Sequence, residues 1–137
     1  MSETPGIPPA VTEETEPFWA AAKEGRLVVE RCTACEAEAM PPRGICRRCH
    51  NRSMEWAEVT GPGVVYSYTV NHRGQGAYQG SAPFVLAYVE LEEGQRVMTN
   101  IVEADVADLA VGLPVDVVFH DTGDGSALPR FRPRKDQ

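Results

Sequence analysis

Residues 31–52 read RCTACEAEAMPPRGICRRCHNR, and this stretch decides the fold. It holds all four cysteines of the chain as two Cys-x-x-Cys pairs, Cys32 with Cys35 and Cys46 with Cys49. Two residues between sulfurs place both on one tight turn, facing a common point. Two such turns build a tetrahedral four-thiolate cage. Zn²⁺ accepts that coordination in structural sites, and it leaves no position open for a catalytic water. The gap of ten residues between the pairs is shorter than usual for such double pairs, which predicts a short ribbon hairpin. The alternative is two disulfides in a secreted domain. The low cysteine density and the lack of a signal-peptide pattern favour metal, intact thiols and a cytoplasmic protein.

Arg31, Arg43, Arg47, Arg48 and Arg52 crowd the same stretch. A zinc ion with four thiolates carries two net negative charges, which nearby guanidinium groups can screen while holding the thiolates deprotonated. A second reading is a phosphate-recognition patch, because arginine suits bidentate phosphate contacts. A third is a solvated basic face. Spacing alone does not choose among them.

Length and charge bound the rest. A chain of 137 residues, 42% hydrophobic, fits one small core with an appendage. The formal charge of −7 becomes about −9 with a four-thiolate zinc site, which argues against broad nucleic-acid binding. No stretch approaches the ~20 apolar residues of a membrane span.

Along the chain, residues 1–11 are Pro-rich and polar and read as a flexible arm. Thr12–Glu24 reads as a helix, capped by Thr12 or Thr15, tolerating Pro17 in its first turn and ended by Gly25. Its Phe18 and Trp19 serve either as core or as docking anchors for a partner. Arg26–Arg31 and Ser53–Val59 are the strands flanking the cysteine pairs. The resulting ribbon is too small to bury a core, so metal must supply much of its stability. Beyond the Gly61-Pro62-Gly63 break, strands are expected at Val64–Val70, Phe84–Leu91, Arg96–Val102, Val115–His120 and Ala127–Arg132. A short helix capped by Asp105 is expected at Asp105–Ala110. Three strands, a helix and two strands is the order of a five-stranded Greek-key barrel, the OB-fold. The predicted division is arm and docking helix at 1–25, zinc ribbon at 26–60, OB-fold at 61–132 and a tail at 133–137.

The loop Asn71–Ala82 is long for a hairpin and holds Gly74, Gly76, Gly80 and Tyr78, which suits either a binding position or a tolerated excursion. Arg73 on it is the one candidate for ligand contact, and Tyr78 joins Phe18 and Trp19 as a candidate partner contact. His72 reads as a surface residue, and His50, beside Cys49, as exposed or behind the ligands. No nucleophile elbow and no phosphate-binding loop opens a helix, and Glu90, Glu92 and Glu93 read as a solubilising hairpin tip. No catalytic constellation is visible.

Taken together, several stretches carry a family resemblance. They are Pro17-Phe18-Trp19, Gly25-Arg26-Leu27, Arg31-Cys32-x-x-Cys35, Pro41-Pro42-Arg43-x-x-Cys46-x-x-Cys49 and Trp56. They continue with Gly61-x-Gly63-x-Val65-Tyr66-Ser67-Tyr68-Thr69, Pro83-Phe84 and Leu91-Glu92-Glu93-Gly94. From about residue 15 to about residue 132 the chain resembles the acyl-CoA-associated zinc-ribbon/OB-fold family, catalogued as domain of unknown function thirty-five. Glu36 and His50 depart from it, standing where Gly is frequent. The resemblance implies a mainly β protein with an N-terminal helical segment, a rubredoxin-like zinc ribbon and a five-stranded OB-fold barrel. It implies a non-catalytic accessory subunit, with structural Zn²⁺, of a thiolase-superfamily enzyme: a thiolase or an aldolase acting on acyl-CoA in lipid or steroid side-chain degradation. An acyl-CoA would be a ligand or shared substrate, the assembly a hetero-oligomer, and an acyl-CoA hydratase domain a further partner. Two other classes stay open: a single-stranded nucleic-acid binder and a rubredoxin-like iron electron carrier.

Overall fold

A computed structural model describes residues 4–135. One helix and eight strands follow in order: α1 Glu16–Lys23, β1 Leu27–Cys32, β2 Glu38–Ala39, β3 Met54–Val59, β4 Gly63–Asn71, β5 Phe84–Leu91, β6 Arg96–Ile101, β7 Pro114–Asp121 and β8 Ala127–Pro133. The first three strands form an antiparallel sheet in the order β2-β1-β3. The other five close into a barrel in the order β4-β5-β6-β8-β7, sealed where Gly63 of β4 pairs with Val115 of β7. One parallel contact, Ile101 with Phe131, joins β6 to β8. This is the OB-fold topology expected from the strand order.

Barrel closure follows from strand periodicity. In β5, Val85, Ala87, Val89 and Leu91 point inward and are buried, while Leu86 and Tyr88 face out. Val65, Val97, Ile101, Val115 and Phe131 complete the interior. A register shift between Val65 and Ser67 bends β4, which lets one strand serve both neighbours around a tight barrel. Phe18 and Ala21 of α1 pack into the same core as Leu27, Val28 and Val29 of β1, so helix, ribbon and barrel share one apolar cluster.

The structure departs from expectation in four places. The helix starts at Glu16 rather than Thr12. Thr12 and Thr15 instead bond to each other in a turn, and neither side chain caps the helix. The helix expected over Asp105–Ala110 is a single 3₁₀ turn, Val106–Asp108, without a side-chain cap from Asp105. A two-residue strand, β2, pairs with β1 through Glu30–Ala39 and Arg31–Glu38. The arm expected to be free is seated on the barrel where it is described. Thr4 is buried, and the Arg130 guanidinium donates to the Thr4 and Pro5 carbonyls at 3.2 and 2.6 Å.

Candidate metal centre and the surface around it

Both cysteine pairs sit on turns of the same construction. Glu36 N–H donates to Cys32 O, and His50 N–H to Cys46 O, each at 2.9 Å. The N–H groups of Ala34 and Cys35 point at Cys32 Sγ, at 3.3 and 3.5 Å, and those of Arg48 and Cys49 at Cys46 Sγ, at 3.3 and 3.4 Å. To close these turns Glu36 and His50 take positive φ, 65° and 66°. That is the left-handed region glycine enters at least cost, and it explains why these two positions stand out in the sequence.

The turns bring Cys32, Cys35, Cys46 and Cys49 together, with all four Sγ atoms within 4.8 Å of one another. Cys32 and Cys49 sulfurs lie 3.6 Å apart, and those of Cys35 and Cys46 lie 3.5 Å apart. A tetrahedron with ~2.3 Å metal–sulfur bonds has edges of about 3.8 Å, so the cage fits zinc. Disulfides would bring paired sulfurs to about 2.05 Å, and all four cysteines are free. His50 is exposed and outside the set.

The thiols are unlike one another. The N–H of Cys49, aided by that of Arg48, holds the Cys46 thiol down at about 6. Cys32 is lowered in the same way, chiefly by the N–H of Cys35. At Cys49 a bond from the Asn51 backbone acts downward, but the Cys32 sulfur and burial outweigh it and push the thiol up to about 12. Because zinc binds thiolates, metal uptake at these cysteines releases protons.

The loop between the pairs is held by Glu30, which sequence reasoning did not single out. Glu30 is only 3% exposed, and its carboxylate accepts the N–H groups of Arg43 at 2.6 Å and Gly44 at 3.0 Å. The available signal was a single acid following the apolar run Leu27-Val28-Val29 in LVVERC. The buried Arg130 was missed for the same reason. It meets His120 Nδ1 at 2.7 Å and sits in a strand that reads as a barrel wall.

The expected arginine cluster divides. Arg31 is tied to Glu55 across β1 and β3 at 2.8 Å. Arg26, Arg96, Arg132 and Arg134 also have carboxylate partners. Among the described residues Arg43, Arg47, Arg48 and Arg52 have none, and Arg47 and Arg48 are exposed.

Phe18 is buried at 7% and belongs to the core, whereas Trp19 is half-buried and meets it edge-on at 4.9 Å. Tyr78, packed on Phe84 at 4.7 Å, reaches the same place from the Asn71–Ala82 loop. That loop folds so tightly that Gly74 has no room for a Cβ against the Tyr78 carbonyl. Trp19 and Tyr78 line one groove of about 380 Å³ together with Met40, Met98 and Pro129. Arg73 is exposed on the loop and is not among the groove's lining residues. Among the described residues no helix is long and apolar enough to cross a membrane.

Comparison with known proteins places these features together elsewhere. Residues 19–55 match the domain described as ChsH2, rubredoxin-like zinc ribbon, and residues 56–120 match ChsH2, C-terminal OB-fold. A DUF35 domain-containing scaffold protein of Methanocaldococcus jannaschii is 33% identical over 78% of this chain and 81% of its own length. A probable enoyl-CoA hydratase alpha subunit of Thermomonospora curvata is 36% identical over 91% of this chain. A 3-oxo-4,17-pregnadiene-20-carboxyl-CoA hydratase alpha subunit of Mycobacterium tuberculosis is 31% identical over 86% of it. The chain spans 39% and 37% of the lengths of those two subunits. A solved chain titled Ltp2-ChsH2(DUF35) aldolase superposes with a TM-score of 0.83 at 36% identity, covering 92% of this chain and 98% of that one.

Proposed function

This chain belongs to the DUF35 family, and from that premise we propose that it is a non-catalytic accessory subunit of a thiolase-superfamily enzyme, forming a hetero-oligomer with it. The observation that carries the reading is the near-complete coverage of the DUF35 chain of an aldolase assembly. Hydratase subunit names among the relatives support an acyl-CoA context, one of them a steroid-derived acyl-CoA, and an acyl-CoA hydratase as a further partner. In this reading the partner carries the reacting groups of an aldolase or thiolase step, and an acyl-CoA is shared between the subunits.

Within the subunit, Cys32, Cys35, Cys46 and Cys49 hold one structural zinc. Bound there, the metal supplies a cross-link between two turns that have little apolar surface of their own. The ribbon at 26–60 and the OB-fold at 61–132 divide the work, the first presenting a metal-fixed surface and the second a rigid base. Trp19 and Tyr78 contact the partner, with Phe18 supporting Trp19 from the core, and Arg73 on the Asn71–Ala82 loop meets a ligand phosphate. Free thiols support a cytoplasmic location.

The test is to isolate the enzyme that co-purifies with this chain and assay it for acyl-CoA cleavage and thermal stability, with and without the chain. The subunit alone is expected to give no turnover, and the enzyme is expected to need it. Full activity and stability of the lone enzyme would refute the reading.

A further inference from the structure

We propose that the apolar groove at Trp19 and an arginine cleft beside it form one docking surface. It takes a segment of the partner enzyme whose apolar side chains are followed by carboxylates. The inference rests on the accessory-subunit reading and deepens it by stating the partner's chemistry.

The two halves of the surface meet at Met40. On one side Met40 lines the groove of about 380 Å³ with Trp19, Tyr78 and Met98. On the other it lines a cleft of about 400 Å³ between the second knuckle and the β5–β6 hairpin, with Arg47, Arg48, Gln95, Arg96 and one acid, Glu38, whose carboxylate is taken by the Gln95 amide. The Arg96 guanidinium is already engaged, stacked 3.9 Å over Tyr66 and bonded to Glu90. Arg47 and Arg48 have no carboxylate, in a chain whose formal charge is −7. An acidic protein that leaves adjacent cations unpaired beside an apolar groove presents local charge complementarity to an acidic partner, against its own net field.

A further observation points to an occupant. The apolar side does not stop at the groove. Met98 is 60% exposed and pairs across the sheet with Tyr88, 44% exposed, a contiguous outward patch that a free surface rarely keeps. An apolar centre with a charged rim is the usual anatomy of a protein interface.

The experiment measures affinity between the full chain with zinc bound and the thiolase-superfamily enzyme that co-purifies with it. The wild-type complex is expected to weaken tenfold or more between 50 and 500 mM NaCl, where the Debye length falls from about 14 Å to about 4 Å. Met98→Glu and the double variant Arg47→Glu/Arg48→Glu are each expected to weaken it tenfold or more when compared with wild type at equal zinc content and below each variant's melting temperature. A partner acid-to-lysine change that restores binding to the double variant would identify the carboxylates. Unchanged affinity in both variants, with the wild-type complex intact, overturns this surface but leaves the accessory reading standing. If no complex forms with the wild type, both fall. Binding of coenzyme A or a single-stranded oligonucleotide that the double variant abolishes while the enzyme complex survives would assign the arginines to phosphate and overturn the proposal.

Discussion

The buried Glu30 carboxylate accepts the backbone N–H of Gly44 at 3.0 Å, and this bond ties the middle of β1 to the loop that carries the second cysteine pair. Glu30 also takes the Arg43 N–H, so two backbone donors of a loop with no strand partner are satisfied by one side chain. The cage therefore depends on a residue that is not a ligand.

Glu30→Ala should cost about 2–3 kcal/mol of ribbon stability, since it strands two backbone donors and removes a charge-assisted pair. Glu30→Gln should cost less, because one oxygen still accepts. Zinc release to a chelator, followed against temperature, reads the difference. Identical release for wild type and Glu30→Ala would show that the loop stands without it.

Cys46→Ser should empty the site and unfold the ribbon while the barrel persists. The barrel's closure uses Gly63–Val115 and Ile101–Phe131, contacts that do not pass through the cage. Metal analysis should give one zinc per wild-type chain and none in the variant, with barrel amide signals retained. A red ferric protein would instead establish the iron carrier, and two disulfides would remove the cage altogether.

Much of this was legible in the sequence because it rests on local pattern. Cysteine spacing specified the knuckles, and alternation in FVLAYVEL specified the inward face of β5. What stayed hidden depends on pairing far along the chain. Arg130 holds Thr4 and Pro5, more than a hundred residues earlier, and no window reveals that an arm described as Pro-rich and polar is seated. β2 has only two residues and follows from the hairpin's return to β1. Glu30 went unnoticed because burial on both faces of β1 needs α1 and the knuckle loop to be in place. The shared groove of Trp19 and Tyr78 likewise joins residues from opposite sides of the cysteine stretch.

The Glu93 carboxylate provides a pH-sensitive clasp between ribbon and barrel. Partial burial raises its pKa, but bonds from the Thr60 N–H at 3.0 Å and the Thr60 hydroxyl at 2.9 Å outweigh that and leave it below the ordinary value of 4.5. A lowered folded pKa means the clasp stabilises fully above the unfolded value and is lost as pH falls through the folded one. Melting temperature should therefore drop more steeply below pH 4.5 in wild type than in Glu93→Gln. Parallel profiles would show that Thr60 and Glu93 contribute nothing to the junction.

Trp19 tests whether the helix is core or anchor, because the two roles act on different measurements. Its ring meets Phe18 edge-on at 4.9 Å, yet Phe18 is buried and Trp19 only half so. A ring that only completes the core would, on truncation to alanine, lower the melting temperature and leave the affinity of the folded fraction unchanged. A ring that also lines a groove occupied by the partner lowers affinity further, by about 2 kcal/mol for a typical aromatic hot spot, or roughly thirtyfold. The groove geometry favours the second result, since Tyr78 and Met98 line the same space from the loop and from β6. Tyr78→Ala provides the matched control. It removes a ring that packs on Phe84 at the barrel edge, and it should weaken the complex with a smaller fall in melting temperature than Trp19→Ala causes. A fall in melting temperature for Trp19→Ala with full affinity in both variants would make α1 a structural helix and move the contact surface elsewhere.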